Sequence, residues 1–110
     1  MSQAWKGLEK KTAEILGGKR VIRKSYSEKN VDVKIKDFPT FKIDTKRYKK
    51  FRAFSFFEEV KKKYCKKPKD KAILVLRQHN KATKLAVIDL KLLGRFLDFI
   101  REHGGQNAFN

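Results

Sequence analysis

The sequence predicts an α/β domain: a central mixed five-stranded sheet flanked by helices, in the order α-β-β-β-α-β-β-α. Three observations predict it. Apolar residues recur at helical spacing over 3–16, 55–66 and 90–102. Two stretches within 31–46 alternate apolar and polar residues with a period of two. Two later stretches, "AILVLRQ" and "LAVIDL", are continuous apolar runs of the kind found in a sheet covered on both faces.

The first helix places Trp5, Leu8, Thr12, Ile15 and Leu16 near one face. Ser2 is positioned to cap its start, and Gly17-Gly18 stops it. "KRVIRK" then reads as a short strand and "SYSEKN" as a polar loop. "VDVKIK" sets Val31, Val33 and Ile35 against Asp32, Lys34 and Lys36. Asp37, Pro39 and Thr40 mark a turn, after which "FKIDTK" alternates again. In the second helix Ser55 and Glu58 have capping-box spacing, and Phe57, Val60 and Tyr64 form the apolar stripe. Pro68 punctuates the basic loop that follows. Asp89 is placed to cap the third helix, whose apolar face is Leu93, Phe96, Leu97 and Ile100. Gly94 within it costs about 1 kcal/mol relative to Ala. Short turns make the first three strands antiparallel, and the crossing helix allows a parallel pairing later. Residues 1–110 read as a single domain, with 103–110 as a loose tail.

Composition narrows the function. The chain carries 29 Lys+Arg against 12 Asp+Glu, a net charge of +17. Self-repulsion on that scale favours a polyanionic partner, nucleic acid before a membrane surface, because the cations spread along the chain and do not form one amphipathic helix. Seven lysines fall between Lys61 and Lys71, the best candidate for tracking phosphates. A single cysteine, Cys65, excludes an intrachain disulfide framework and fits an intracellular compartment. The opening reads as too charged for a signal peptide, and "AILVL" as too short to span a bilayer.

The chemistry concentrates in "VDVKIKDFPTFKIDTK", residues 31–46. Asp32 and Asp44 have the same parity on neighbouring predicted strands, and Lys46 shares the parity of Asp44. Paired as a hairpin, the strands would aim both carboxylates to one side. Two converging carboxylates repel, and a divalent cation relieves the repulsion. Hard oxygen ligands with water completing the shell suit Mg²⁺ or Mn²⁺. A lysine beside that cation can orient water or stabilise developing charge. In a lysine-rich chain the same triplet also fits a plain solvated strand face, and composition does not separate the two.

An aspartate, a turn, then an acidic residue, any residue and a lysine resembles the PD-(D/E)xK nuclease motif. Asp32 matches its first acid and Asp44-Thr45-Lys46 its second half. The preceding "WKGLEKKTAEILGGKRVIRK" resembles the opening of archaeal Holliday-junction resolvases and small viral and phage nucleases of that superfamily. Glu9 matches their helix glutamate, and Ser25 or Ser27 their loop serine. Two positions depart. Asn30-Val31 replaces a common proline, and Asp44 stands where resolvases usually carry glutamate, so a metal would sit closer to the strand.

The resemblance implies a restriction-endonuclease-like fold and a Mg²⁺-dependent (or Mn²⁺-dependent) endonuclease, foremost a homodimeric Holliday-junction resolvase. Asp32, Asp44 and the Thr45 carbonyl would hold the metal, Lys46 would position the attacking water, and Glu9 would complete the site. Expected DNA contacts are Arg20, Arg23, Lys24, Ser25, Ser27, Arg47, Lys49, Lys50, Lys61, Lys62, Lys66 and Lys67. Phe51, Phe54 and Phe56 exceed what one small core needs and read as a dimer interface, with aromatic contact to bases as the second reading. Neither His79 nor His103 has a partner at metal spacing. A non-catalytic nucleic-acid-binding protein, and a nuclease acting on flaps, nicks or duplex, remain alternatives.

Overall fold

The computed structural model describes residues 2–22 and 31–109, with side chains from residue 7 onward. Arg23, Lys24, Ser25 and Ser27 lie outside the described residues, as do the side chains of Ser2 and Trp5. The elements are α1 (Ser2–Leu16), β1 (Lys19–Arg20), β2 (Val33–Lys34), α2 (Arg52–Tyr64), β3 (Leu74–Arg77), β4 (Lys84–Val87) and α3 (Leu90–Glu102). A 3-10 turn, Gln106–Phe109, follows.

The α/β class holds, but the five-stranded mixed sheet does not, nor the restriction-endonuclease-like architecture built on it. The described strands form two two-stranded sheets, β1–β2 and β3–β4, both antiparallel. Two local causes account for the difference. "FKIDTK" contributes only one bridge, Val33 to Ile43, because the Thr45 backbone N–H is taken by the Asp32 carboxylate at 2.7 Å and not by a strand neighbour. After α2, β3 pairs antiparallel with β4 across the connection 78–83 and has no parallel partner among the described strands. Asn80 adopts the left-handed conformation (φ 65°) in that connection, and Lys81 N–H closes a turn on Gln78.

The chain packs as two compact units, one formed by residues through Arg47 together with Leu90 onward, the other by Tyr48–Asp89. In the first unit the core is Leu16, Ile35, Phe38 and Leu97, with Ile15, Phe41, Ile43, Leu90, Leu93 and Ile100 packed around it. Phe96, predicted on the buried face of α3, is exposed, and Gly94 is buried instead. The glycine earns its place sterically: a Cβ there would lie 2.7 Å from the Ile15 carbonyl oxygen. Gly17 (φ 70°) ends α1 in the left-handed conformation, and Gly18 N–H reaches back to the Ala13 carbonyl at 2.8 Å. That pattern satisfies an otherwise orphaned carbonyl at the helix end.

Arg101 near the end of α3 ties this unit together. It donates to both oxygens of Asp37 (2.6 and 3.2 Å), to Asp98 (2.9 Å) and to the Leu16 carbonyl (2.9 Å). Its guanidinium also lies 5.2 Å from the Phe38 ring centre. In the stretch read as a tail, Phe109 meets the rings of Phe38 and Phe41 at 6.3 and 5.6 Å. The Thr40 hydroxyl donates to the Phe109 carbonyl.

In the second unit α2 begins at Arg52, three residues before the predicted capping box, so Ser55 lies inside the helix. Its N-cap is Phe51, in extended conformation and without a side-chain cap bond. Ala53 and Phe57 are buried, whereas Tyr64, predicted in the apolar stripe, is exposed. The hairpin pairs Leu74 with Val87, Val75 with Ala86, Leu76 with Leu85 and Arg77 with Lys84. Among the described residues no helix is long and apolar enough to cross a membrane.

Candidate active site

The candidate residues gather where β1, β2 and the 43–46 segment run side by side in the first unit. Arg20 registers with Val33, and Val33 bridges Ile43. These residues line one row across three backbones. One step along, Val21 N–H donates to the Asp32 carbonyl (2.9 Å), and Asp32 N–H donates to the Ile43 carbonyl (3.0 Å). Asp32 and Asp44 therefore occupy neighbouring backbone positions flanking the same bridge. Val33 and Ile35, fully buried, anchor the row from the core side.

Each acid has a defined partner. One oxygen of Asp32, Oδ2, accepts both the Thr45 N–H (2.7 Å) and the Thr45 hydroxyl (2.9 Å). That fixes the carboxylate's rotation and leaves its orientation set by the chain thirteen residues later. Asp44 Oδ2 lies 2.9 Å from Lys46 Nζ, with both side chains half or more exposed to solvent. Glu9 is 3% exposed and meets Arg20 Nε at 3.1 Å. A buried carboxylate needs such a partner, since an unpaired charge there is costly.

The structure brings Asp32, Asp44, Thr45 and Lys46 together, whereas Glu9 and Arg20 pair with each other, Arg20 on the row of buried Val33 and so of opposite parity to the two aspartates. Among the described residues, no three His, Cys, Asp or Glu side chains gather closely enough to hold a metal ion between them. Arg20, anticipated as a DNA contact, is half-buried and engaged with Glu9. Sequence spacing carried no signal for that pair, because a glutamate on a helix and an arginine on the next strand meet only through tertiary packing. Arg47, Lys49, Lys50, Lys61, Lys62, Lys66 and Lys67 are all exposed. Within the second unit Asp70 Oδ2 accepts the backbone N–H groups of Lys66 and Lys67 (3.1 and 3.0 Å), shaping the lysine-rich loop. Phe51, Phe54 and Phe56 belong to that unit and are exposed.

No protein-family model, no curated protein and no solved structure matches this chain.

Proposed function

We propose that this protein is a metal-dependent DNA endonuclease whose centre is Asp32, Asp44, Thr45 and Lys46. One observation carries the reading: two aspartates flank a single antiparallel bridge, and the second is followed at two residues by a lysine that reaches its carboxylate. A net charge of +17 supplies the electrostatic reason for a phosphodiester substrate. The resemblance of these residues to the PD-(D/E)xK motif supports the same chemistry.

The donor set fits Mg²⁺ or Mn²⁺ as hard carboxylate oxygens with water completing the shell. Asp32, Asp44 and the Thr45 carbonyl would hold the cation. Glu9, neutralised by Arg20, does not add a third carboxylate. When bound, the cation lowers the pKa of water and offsets charge on the phosphate. The protein's own groups do the rest. Thr45 holds Asp32 in one rotation. Lys46 orients the attacking water and stabilises the charge that builds on the phosphate oxygens. The chain's net charge of +17 draws DNA toward it.

A branched four-way junction is the first substrate to test, beside a duplex of matching arms. Paired, symmetric nicks in the junction that need Mg²⁺ and vanish with EDTA support a resolvase. Equal cutting of both substrates keeps the centre and removes junction selectivity. Asp32→Asn and Asp44→Asn should each abolish cleavage while DNA binding persists. Undiminished cleavage by both variants sinks the assignment.

A second reading has its own observation. Each carboxylate matched to the motif has a protein partner, Glu9 with Arg20, Asp32 with Thr45 and Asp44 with Lys46. A basic nucleic-acid-binding protein without catalysis would be built the same way. DNA binding with no cleavage in Mg²⁺ or Mn²⁺ would favour it.

A further inference from the structure

The second unit carries a row of aromatic rings that its own core does not use. Tyr48 stacks on Phe51 with ring centres 5.1 Å apart and planes 30° apart. Phe51 in turn meets Phe54 edge-on at 6.1 Å. The three side chains are 59%, 51% and 68% exposed. Their exposure follows from the backbone. Phe51 is extended (φ −147°) at the N-cap of α2, so Tyr48 and Phe51 precede the helix, while Ala53 and Phe57 turn to the buried side. Phe56 is different, because the Arg52 guanidinium covers its ring at 5.6 Å.

The charge around the row discriminates between occupants. Lys49, Lys50 and Arg52 interleave with the rings and are exposed. No acidic residue occurs between Lys46 and Phe57, and the first carboxylates, Glu58 and Glu59, follow one turn beyond Phe54 on α2. A second copy of the chain docked ring to ring would bring each set of cations against its own duplicate. A nucleic-acid strand meets both halves of the surface: phosphates neutralise the cations, and base faces stack on the rings. Bases inside a duplex already have both faces covered, so free ring faces select unpaired ones.

We propose that Tyr48, Phe51 and Phe54 form a stacking platform for unpaired bases of a nucleic-acid strand, with Lys49, Lys50 and Arg52 on its phosphates. The site lies wholly within the second unit and requires no metal and no cleavage. It therefore stands or falls apart from the endonuclease reading.

The test compares binding of a short labelled oligothymidylate with that of an abasic phosphodiester of equal length, in EDTA and over a range of salt. The full-length protein should bind the base-bearing strand about ten-fold or more tightly than the abasic one. Phe54→Ala should erase most of that preference and leave the abasic affinity and the salt dependence unchanged. Phe54→Trp should restore it, which separates stacking from folding. Lys49→Gln with Lys50→Gln should weaken both polymers alike and flatten the salt dependence. Equal affinity of the unaltered protein for both strands overturns the proposal. So does a Phe54→Ala protein that loses a dimer in sedimentation but keeps its base preference, an outcome that assigns the face to a second copy.

Discussion

Thr45 gives both of its donors to one oxygen of Asp32, its backbone N–H at 2.7 Å and its hydroxyl at 2.9 Å. The two bonds differ in what supports them. The first depends on the path of the 43–46 segment, the second on the side chain alone. Thr45→Val therefore removes only the hydroxyl bond while keeping the β-branched shape. Under the endonuclease reading, it should weaken Mn²⁺ binding and metal-dependent cleavage about ten-fold, the scale seen when a residue orienting a metal ligand is lost. Thr45→Ser should recover most of both. Equal behaviour of the valine and serine variants, followed by Mn²⁺ spectroscopy and nicking rate, would remove the hydroxyl from the argument.

Arg101 holds the Asp37 carboxyl below the usual aspartate range, chiefly by the hydrogen bond between them, and Asp37 raises the arginine in return. The sign for stability follows from the depressed acid. Its contribution is complete above the unfolded aspartate pKa of about 3.9 and is lost as pH falls through the lower folded value. Because Asp37 is a third exposed, solvent screening limits the contribution to about 1 kcal/mol. Asp37→Asn should lower the melting temperature by a few degrees at neutral pH. The gap from the unaltered protein should close below about pH 4. A gap that stays constant into acid would contradict the assignment.

Gly94 offers a case where local propensity and packing disagree. Intrinsic propensity alone predicts that Gly94→Ala stabilises α3 by about 1 kcal/mol. The Ile15 carbonyl oxygen, 2.7 Å from where that Cβ would sit, predicts the opposite. The close approach of α1 to α3 should lose about 1–3 kcal/mol through overpacking. Urea denaturation decides the sign, and a stabilised variant would show that the helices separate freely.

Glu9 and Arg20 should couple strongly. Arg20→Met leaves a carboxylate that is 3% exposed without the partner that neutralises it. The expected loss is about 3 kcal/mol, with Glu9→Gln in the same background returning part of it. A double-mutant cycle by denaturation measures the coupling, and additive losses would show that the pair is incidental.

The helices were legible because their signals are local. The apolar spacing and Gly17-Gly18 bounded α1, and α3 spans Leu90–Glu102 as the periodicity predicts. The α2 start was misplaced because Ser55 and Glu58 have the right spacing for a cap, yet extended Phe51 begins the helix without one. The sheet was overread for a different reason. Alternation in "FKIDTK" cannot reveal that the Asp32 side chain will claim a backbone donor the ladder needed. Asp32, Asp44 and Lys46 were picked out by their parity, and the Val33–Ile43 bridge does bring the two aspartates to neighbouring positions. The Arg20–Glu9 and Arg101–Asp37 pairs had no sequence signal, since partners eleven and 64 residues apart carry no shared spacing.

The first unit is assembled from two separate stretches, and the whole of Tyr48–Asp89 lies between them. During synthesis this order has a consequence. α1 and β2 leave the ribosome well before α3, so the faces of Leu16, Ile35 and Phe38 must wait for Leu97 and for Arg101 to arrive. The intervening unit has its strands paired locally and can close while the earlier half is still open. A released fragment ending at Asp89 should therefore protect the β3–β4 hairpin from proteolysis and leave α1 as the segment that chaperones see.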